Sequence, residues 1–299
     1  MADVREPAGG ARAGGASAGG ADAGGADAGG ADAGGTSAGD APSRDLSRLT
    51  WQQARDALGR ARVALVPIGS CEQHGPHMTL DADLAIATGF AGRLADALGD
   101  EAVVCPGVAY GMSEHHLAFP GTLTLRAETL LAIVRDLVES LAHWGVTRVL
   151  LVNGHGGNLD ALRLAAREAV RDRPGVLVGA VMWSVLAADA IAPHAVGPRY
   201  GHACEIETSV ALAVAPQAVL SERIAAPAPT PEGASLSEPQ GARYDLPVPF
   251  HHWTTDGALG DARHASRELG EQIVAVAIER ATALARRLME VEDKGDDTP

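Results

Sequence analysis

The sequence has few of the residues that mark exported, membrane-bound or nucleic-acid-binding proteins. Its 3 cysteines, Cys71, Cys105 and Cys204, form neither a CxxC pair nor an even set, so no disulfide framework is expected. Lys and Arg number only 24 against 38 Asp and Glu, and no basic block is present to bind nucleic acid. No apolar stretch reaches the roughly 18 residues that cross a bilayer. These absences predict a cytoplasmic protein with neither membrane nor nucleic-acid partners.

Large apolar residues are scarce in the first part of the chain, where a five-residue unit, ADAGG or a close variant, repeats from Ala11. Such Gly-rich text cannot offset the entropy of ordering. We therefore predict a disordered Gly/Ala/Asp-rich tail over 1–43, a folded domain over 44–290 and a flexible tail over 291–299.

Aromatic residues make up only 3% of the chain. Trp183 and Trp253 are interpreted as core anchors, since most tryptophans have that role.

What the folded part does contain is an alternation of short β-branched runs with longer amphipathic ones, which is typical of βαβ units and a mostly parallel sheet. The predicted strands and helices occupy these ranges: strands at about 62–69, 101–105, 146–152 and 175–182; helices at about 51–60, 83–98, 126–143 and 159–172. Two further helices are predicted over 202–214 and 262–289. Residues 226–260 are expected to form a long ordered loop or an arm toward a neighbouring molecule.

Two short motifs place carboxylates and imidazoles directly after predicted strands, namely EQHGPH at 72–77 and NGHGGN at 153–158. Because the carboxyl ends of parallel strands share one sheet edge, Glu72, His74, Asp83 and His155 are expected to meet there. Imidazole with carboxylate and no thiolate suits Zn²⁺ or Mn²⁺, and leaves a position open for water. The motifs therefore predict a catalytic metal site.

A third polar stretch, HACEIETS at 202–209, contains His202, Glu205 and Glu207. Residues two apart on a helix point about 200° from each other, so the two glutamates cannot share a face. His202 and Glu205, three apart, can face together.

Together, EQHGPH, Asp83, FPGT at 119–122, NGHGGN and HACEIETS resemble the creatininase family over most of residues 46–289. The resemblance implies a three-layer α/β/α fold, a homo-oligomer that is usually a hexamer, and a catalytic domain with two divalent ions, zinc or manganese. It also implies hydrolysis of a non-peptide C–N bond in a small-molecule substrate, here a cyclic amide or formamide, by a hydroxide that bridges the metals.

By this resemblance Glu72 and His155 bind one metal, His74 binds the other and Asp83 bridges them. The family's namesake has Tyr-Glu after its NGH motif and uses that glutamate as a ligand, whereas this chain has Gly157 there. We expect Glu205 to replace the missing carboxylate and Glu207 to pack nearby.

The resemblance also places two further histidines at the substrate. His202 is expected to donate a proton to the leaving nitrogen. His116, just before FPGT, is expected to line the substrate pocket.

Two alternatives remain open at this point. One is a thiol-dependent amidase, since Cys71 and Cys204 each lie beside a candidate glutamate. The other is a non-catalytic metal-binding assembly protein.

Overall fold

The structure, a computed structural model, describes residues 43–196, 201–231 and 247–291. The repeat-rich tail predicted over 1–43 therefore lies outside the described residues except for Ser43, and the C-terminal tail lies outside them except for Val291.

A four-stranded parallel sheet forms the centre of the fold, as predicted. Its strands are β1 (Val63–Ile68), β2 (Ala102–Val104), β3 (Arg148–Asn153) and β4 (Leu177–Met182), in the order β2-β1-β3-β4. The register pairs Ala64 with Val149 and Ile68 with Asn153. The carboxyl ends of β1 and β3 are therefore neighbours, and the two polar motifs follow them directly.

Helices cover both faces of this sheet, which explains why β1 is buried throughout. Val63 and Leu65 pack on one side with α2 (Ala82–Leu98), α7 (Glu205–Val214) and α8 (Arg267–Glu290). Ala64, Val66 and Ile68 pack on the other side. The helices of that second side are α1 (Trp51–Arg60), α3 (Ala127–His143) and α4 (Leu159–Asp172). Strands buried on both faces are the rule in parallel sheets, and the predicted three-layer α/β/α arrangement is confirmed.

Two of the predicted helices begin later than the sequence pattern indicated. Helix α7 begins at Glu205 rather than 202, after Ala203 adopts a positive φ of 49°. Helix α8 begins at Arg267 because Ser266 caps it by accepting the amide of Leu269, and residues 262–264 form a separate 3₁₀ turn. The short helices α5 (Trp183–Leu186) and α6 (Ala188–Ile191) follow β4.

The remaining sequence-level features can be located within this fold. Trp183 is 4% exposed in the core under α8, as expected of a core anchor, and all three cysteines are free. None of the helices over the described ranges is long and apolar enough to cross a membrane.

Candidate metal centre

Five buried side chains from four chain segments meet at the carboxyl edge of β1 and β3. We call Glu72, His74, Asp83, His155 and Glu207 the carboxylate–imidazole cluster. Its members are at most 5% exposed. Glu72 and His74 follow β1, Asp83 lies in the first turn of α2, His155 follows β3, and Glu207 lies in the first turn of α7.

The cluster divides into two groups of three that share one carboxylate. Candidate ligand atoms of Glu72, Asp83 and His155 lie within 4.8 Å of one another, and so do those of His74, Asp83 and Glu207. His155 Nδ1 is 3.2 Å from both Glu72 Oε1 and Asp83 Oδ2. His74 Nε2 is 3.2 Å from Asp83 Oδ1 and 4.0 Å from Glu207 Oε2. Asp83 therefore stands between the groups, with one oxygen toward each.

Both imidazoles are held so that one nitrogen faces the cluster. His155 donates from Nε2 to the carbonyl oxygen of Met112 (2.9 Å), and His74 donates from Nδ1 to the carbonyl oxygen of Glu72 (3.2 Å). A backbone acceptor behind a histidine fixes its tautomer and leaves the other nitrogen free to bind a cation. Each histidine is therefore oriented as a metal ligand would be.

The donor set fits divalent cations. Glu72 Oε1 and Asp83 Oδ2 are buried and have no hydrogen-bond partner. Buried charges of this kind are normally paired or coordinate a metal. Three carboxylates and two imidazoles, without a thiolate, match the preferences of zinc and manganese.

The electrostatics of the cluster are dominated by burial and by mutual charge. Burial lowers the pKa of His74, but the carboxylates of Asp83 and Glu207 outweigh it and raise the pKa to about 10. Burial raises the pKa of Glu207 to about 7, although His74 opposes it. For Glu72 burial acts to raise the pKa, yet His155 holds it well below the usual range. The side chains thus depend on one another for charge balance in a site closed to solvent.

Glu205 is not in this cluster, so the sequence-based expectation for it is corrected. Its Oε1 accepts the backbone amide of Val196 (2.6 Å) and its Oε2 accepts that of Asp261 (2.9 Å). Glu205 therefore ties two loops to the start of α7, while Glu207 reaches the cluster and accepts the amide of Ala203. The structure thus places Glu207, and not Glu205, beside the other candidate ligands.

Two glycines of the NGHGGN motif allow the loops to approach one another closely. A Cβ at Gly154 would lie 2.1 Å from the carbonyl oxygen of Asp83. A Cβ at Gly157 would lie 2.4 Å from the Met112 carbonyl oxygen and 2.5 Å from His155 Nε2. Position 157 consequently cannot provide a carboxylate in this backbone, because a side chain there would displace the acceptor that orients His155.

His116 and His202, the other two predicted site residues, lie beside Glu72. His116 Nε2 is 3.3 Å and His202 Nδ1 is 3.8 Å from Glu72 Oε1. Burial lowers the pKa of His116 to about 3, and burial together with His74 lowers that of His202 well below its usual range. Burial therefore favours the neutral form of both imidazoles.

Sequence reasoning missed two residues that contact these histidines. Gln73 lies within hydrogen-bonding distance of both rings. Phe250, from the predicted 226–260 loop, stacks on His116 with ring centroids 4.2 Å apart. The position of Gln73 between two candidate ligands was a usable signal, whereas nothing in the local sequence linked Phe250 to the site.

The thiols do not share this arrangement. Burial raises the pKa of Cys204 to about 12, which suppresses the nucleophilic thiolate. Cys71 directs its Sγ to the carbonyl oxygen of Gly121. The structure thus favours the imidazoles and carboxylates over a cysteine nucleophile.

Comparison with known proteins gives matches over the same region. The family model described as creatinine amidohydrolase, Creatininase, matches residues 47–285. The mycofactocin precursor peptide peptidase of Mycolicibacterium smegmatis is 40% identical over 166 residues, which are 54% of this chain. The match covers 62% of that peptidase, less than two thirds of the peptidase's length. The creatinine amidohydrolase of Pseudomonas putida is 32% identical over 257 residues, 78% of this chain and 93% of that protein.

Solved structures agree with these matches. A crystal structure of creatinine amidohydrolase superimposes with a TM-score of 0.72 at 28% identity, covering 84% of this chain and all of that one. A Zn–Zn form of a creatininase mutant and a manganese form of creatininase each give a TM-score of 0.69 at 29% identity; they cover 84% and 83% of this chain, respectively, and all of their own. The fold, the family model and the relatives lead to one conclusion: this chain belongs to the creatininase family of hydrolases.

Proposed function

We propose that this chain is a metal-dependent amidohydrolase that holds two divalent ions, zinc or manganese, in the carboxylate–imidazole cluster. The observation that carries the proposal is the pair of three-residue groups that share Asp83. Glu72, Asp83 and His155 would hold one ion, and His74, Asp83 and Glu207 the other. The zinc and manganese forms of creatininase among the structural neighbours support these metals.

The bound ions would supply an activated water and polarise the carbonyl of the scissile amide. The protein's own contribution is to position and to transfer protons. Ser70 donates to Glu72 Oε2 (3.0 Å) and so orients that carboxylate. His202 would carry the proton to the departing nitrogen, and His116, stacked on Phe250, would contact the substrate.

The scissile bond is proposed to be the C–N bond of a small cyclic amide or formamide, as the family resemblance implies. The similarity to a creatinine amidohydrolase, which covers 93% of that protein and 78% of this chain, supports this. A peptide C–N bond is the second candidate, because the M. smegmatis relative, at 40% identity, is a precursor peptide peptidase. Hydrolysis of either kind of bond requires attack of water on the amide carbonyl carbon. The two candidate substrates therefore differ in shape and not in the reaction.

We also propose a cytoplasmic homo-oligomer, a hexamer by family resemblance, that acts without nucleic-acid or membrane partners. Trp51 and Trp144, which line one apolar groove, are 70% and 60% exposed. Large exposed aromatics of this kind are more usual at interfaces than on free surfaces. Sedimentation of the purified chain measures the assembly.

The proposal is tested with purified, metal-loaded protein. We expect elemental analysis to find two ions per chain, and we expect hydrolysis of at least one compound in a panel of cyclic amides, formamides and short peptides. A chelator should abolish turnover and added zinc or manganese should restore it, whereas thiol alkylation should leave turnover intact. Turnover that survives chelation but not alkylation would establish the thiol amidase instead. Ion binding without turnover across the panel would favour the non-catalytic metal-binding alternative.

The assignment of Glu207, and not Glu205, to the cluster is tested by a matched pair of substitutions. Glu207→Gln should reduce the metal content from two ions to one, because it removes a charged ligand from the His74 group. Glu205→Gln should keep both ions but lower the free energy of unfolding by about 1–3 kcal/mol, since one of the two backbone amides bound by Glu205 would then face an NH₂ donor instead of an acceptor. Elemental analysis and denaturant unfolding measure the two effects. Loss of an ion from Glu205→Gln alone would reverse the assignment.

A further inference from the structure

The side-chain amide of Gln73 has a fixed orientation. Its Oε1 accepts the backbone amide of Gly75 at 2.9 Å. A backbone N–H can only donate, so the atom that it contacts is the oxygen, and Nε2 is on the opposite side. A Cβ at Gly257 would lie 1.7 Å from this Oε1. The chain therefore leaves room for Gln73 only by having glycine at 257.

That orientation determines the tautomer of His116. Gln73 Nε2 is 2.8 Å from His116 Nδ1, and an amide nitrogen can only donate. Nδ1 of His116 must therefore accept, and in the neutral ring the proton is on Nε2. Nε2 of His116 lies 3.3 Å from Glu72 Oε1, a close contact without hydrogen-bond geometry, so the proton is on the side of the ring next to the cluster.

The main chain of the same residue determines the tautomer of His202. Nε2 of His202 is 2.7 Å from the carbonyl oxygen of Gln73, which can only accept. If Nε2 carried no proton, its lone pair would face a lone pair of the carbonyl oxygen at 2.7 Å, and the two would repel each other. The same nitrogen is 3.0 Å from Gln73 Nε2, which is itself a donor, so the two contacts compete; the shorter contact, to the carbonyl, assigns the proton to Nε2. The lone pair of His202 is then on Nδ1, 3.8 Å from Glu72 Oε1 and facing the cluster.

We propose that Gln73 is a positioning residue that fixes both histidines as Nε2–H tautomers, through its side chain for His116 and through its carbonyl for His202. Gln73 thereby gives the two histidines different hydrogen-bonding roles. His116 presents an N–H donor to the site, and His202 presents a bare nitrogen that can accept a proton. The tautomers follow from geometry alone; only the use made of the His202 lone pair rests on the proposed function.

The test replaces the donor of Gln73 with an acceptor of the same shape. In Gln73→Glu the carboxylate still accepts from Gly75 but now faces His116 Nδ1 with an oxygen. His116 should therefore become protonated at Nδ1, while His202 keeps its Nε2 proton. Nitrogen-15 NMR of the full-length, histidine-labelled protein, recorded with zinc and after chelation, measures each tautomer directly. We also expect kcat to fall by about 10-fold to 100-fold with KM little changed.

Two further variants make the result decisive. Gln52→Glu adds the same charge on the exposed face of α1 and should change neither the NMR signals nor kcat. Gln73→Met keeps the volume without a donor, so His116 should exchange between tautomers; this variant serves if Gln73→Glu does not fold.

Two results would overturn the proposal. One is a wild-type protein with the His202 proton on Nδ1, and the other is a Gln73→Glu protein whose His116 stays bare at Nδ1. If the tautomers are as stated but the protein neither binds two ions nor hydrolyses an amide, the proposed function fails while the role of Gln73 stands.

Discussion

Asp83→Asn is expected to leave the protein folded, empty of tightly bound metal and nearly inactive. Asp83 directs one oxygen toward each three-residue group, so its substitution weakens both proposed ion sites at once. Metal catalysis is worth several kcal/mol of transition-state stabilisation, which at about 1.4 kcal/mol per tenfold corresponds to a loss of roughly 10³-fold in kcat/KM. Elemental analysis and steady-state kinetics on the same preparation measure both losses.

A control for this substitution lies two residues earlier in the chain. Asp81 is exposed at the start of α2, and its carboxylate accepts a hydrogen bond from the Thr79 hydroxyl. Asp81→Asn removes the same charge and should retain both ions and full turnover. If Asp83→Asn still bound two ions per chain, Asp83 would not be the shared ligand, and the two-ion proposal would have to be abandoned.

Much of this site could be predicted from the sequence because a parallel sheet has a simple geometry. Strands β1 and β3 are apolar runs long enough to be recognised, and each is followed at once by its polar motif. Once the strands are parallel and adjacent, Glu72 and His155 must be neighbours. Asp83 follows in the same connection, at the start of the next helix. These three residues form one of the two observed groups.

The choice between Glu205 and Glu207 could not be predicted in the same way. Both lie in the first turn of α7, and which one faces the cluster depends on the rotation of the helix about its axis. The chain enters the helix through Ala203, which has a positive φ that a non-glycine residue rarely adopts. The backbone amides that donate to the Glu205 carboxylate belong to Val196 and Asp261, which are distant from each other in sequence. No local pattern reports contacts of this kind.

The orienting contacts of the histidines were equally hidden from sequence reasoning. His155 depends on a carbonyl at residue 112, and His116 packs on a ring at residue 250. Backbone carbonyls carry no residue-type signal, and an isolated phenylalanine in a loop gives no periodicity. The ligands could therefore be predicted from residue type and spacing, whereas the groups that orient them required coordinates.

Replacing His202 with alanine is expected to separate metal binding from catalysis. The two ion groups that share Asp83 are complete without His202, so the variant should keep two ions per chain. A positioned acid or base contributes about 10²–10⁴-fold to proton transfer, so kcat should fall by roughly 10²-fold or more. His251→Ala, which removes an exposed imidazole from the 250–252 turn, is the matched control and should retain full activity.

The ion content of His202→Ala decides between two roles that the geometry permits. His202 also lies within ligand distance of Glu72 and His74, as a third possible group. If the variant loses one ion along with its activity, His202 is a ligand and cannot be the proton carrier, because a metal would occupy the Nδ1 lone pair. If both ions stay and turnover falls, the bare nitrogen that faces the cluster acts on the substrate. A variant that keeps both ions and full turnover would show that the proton reaches the leaving nitrogen by another route.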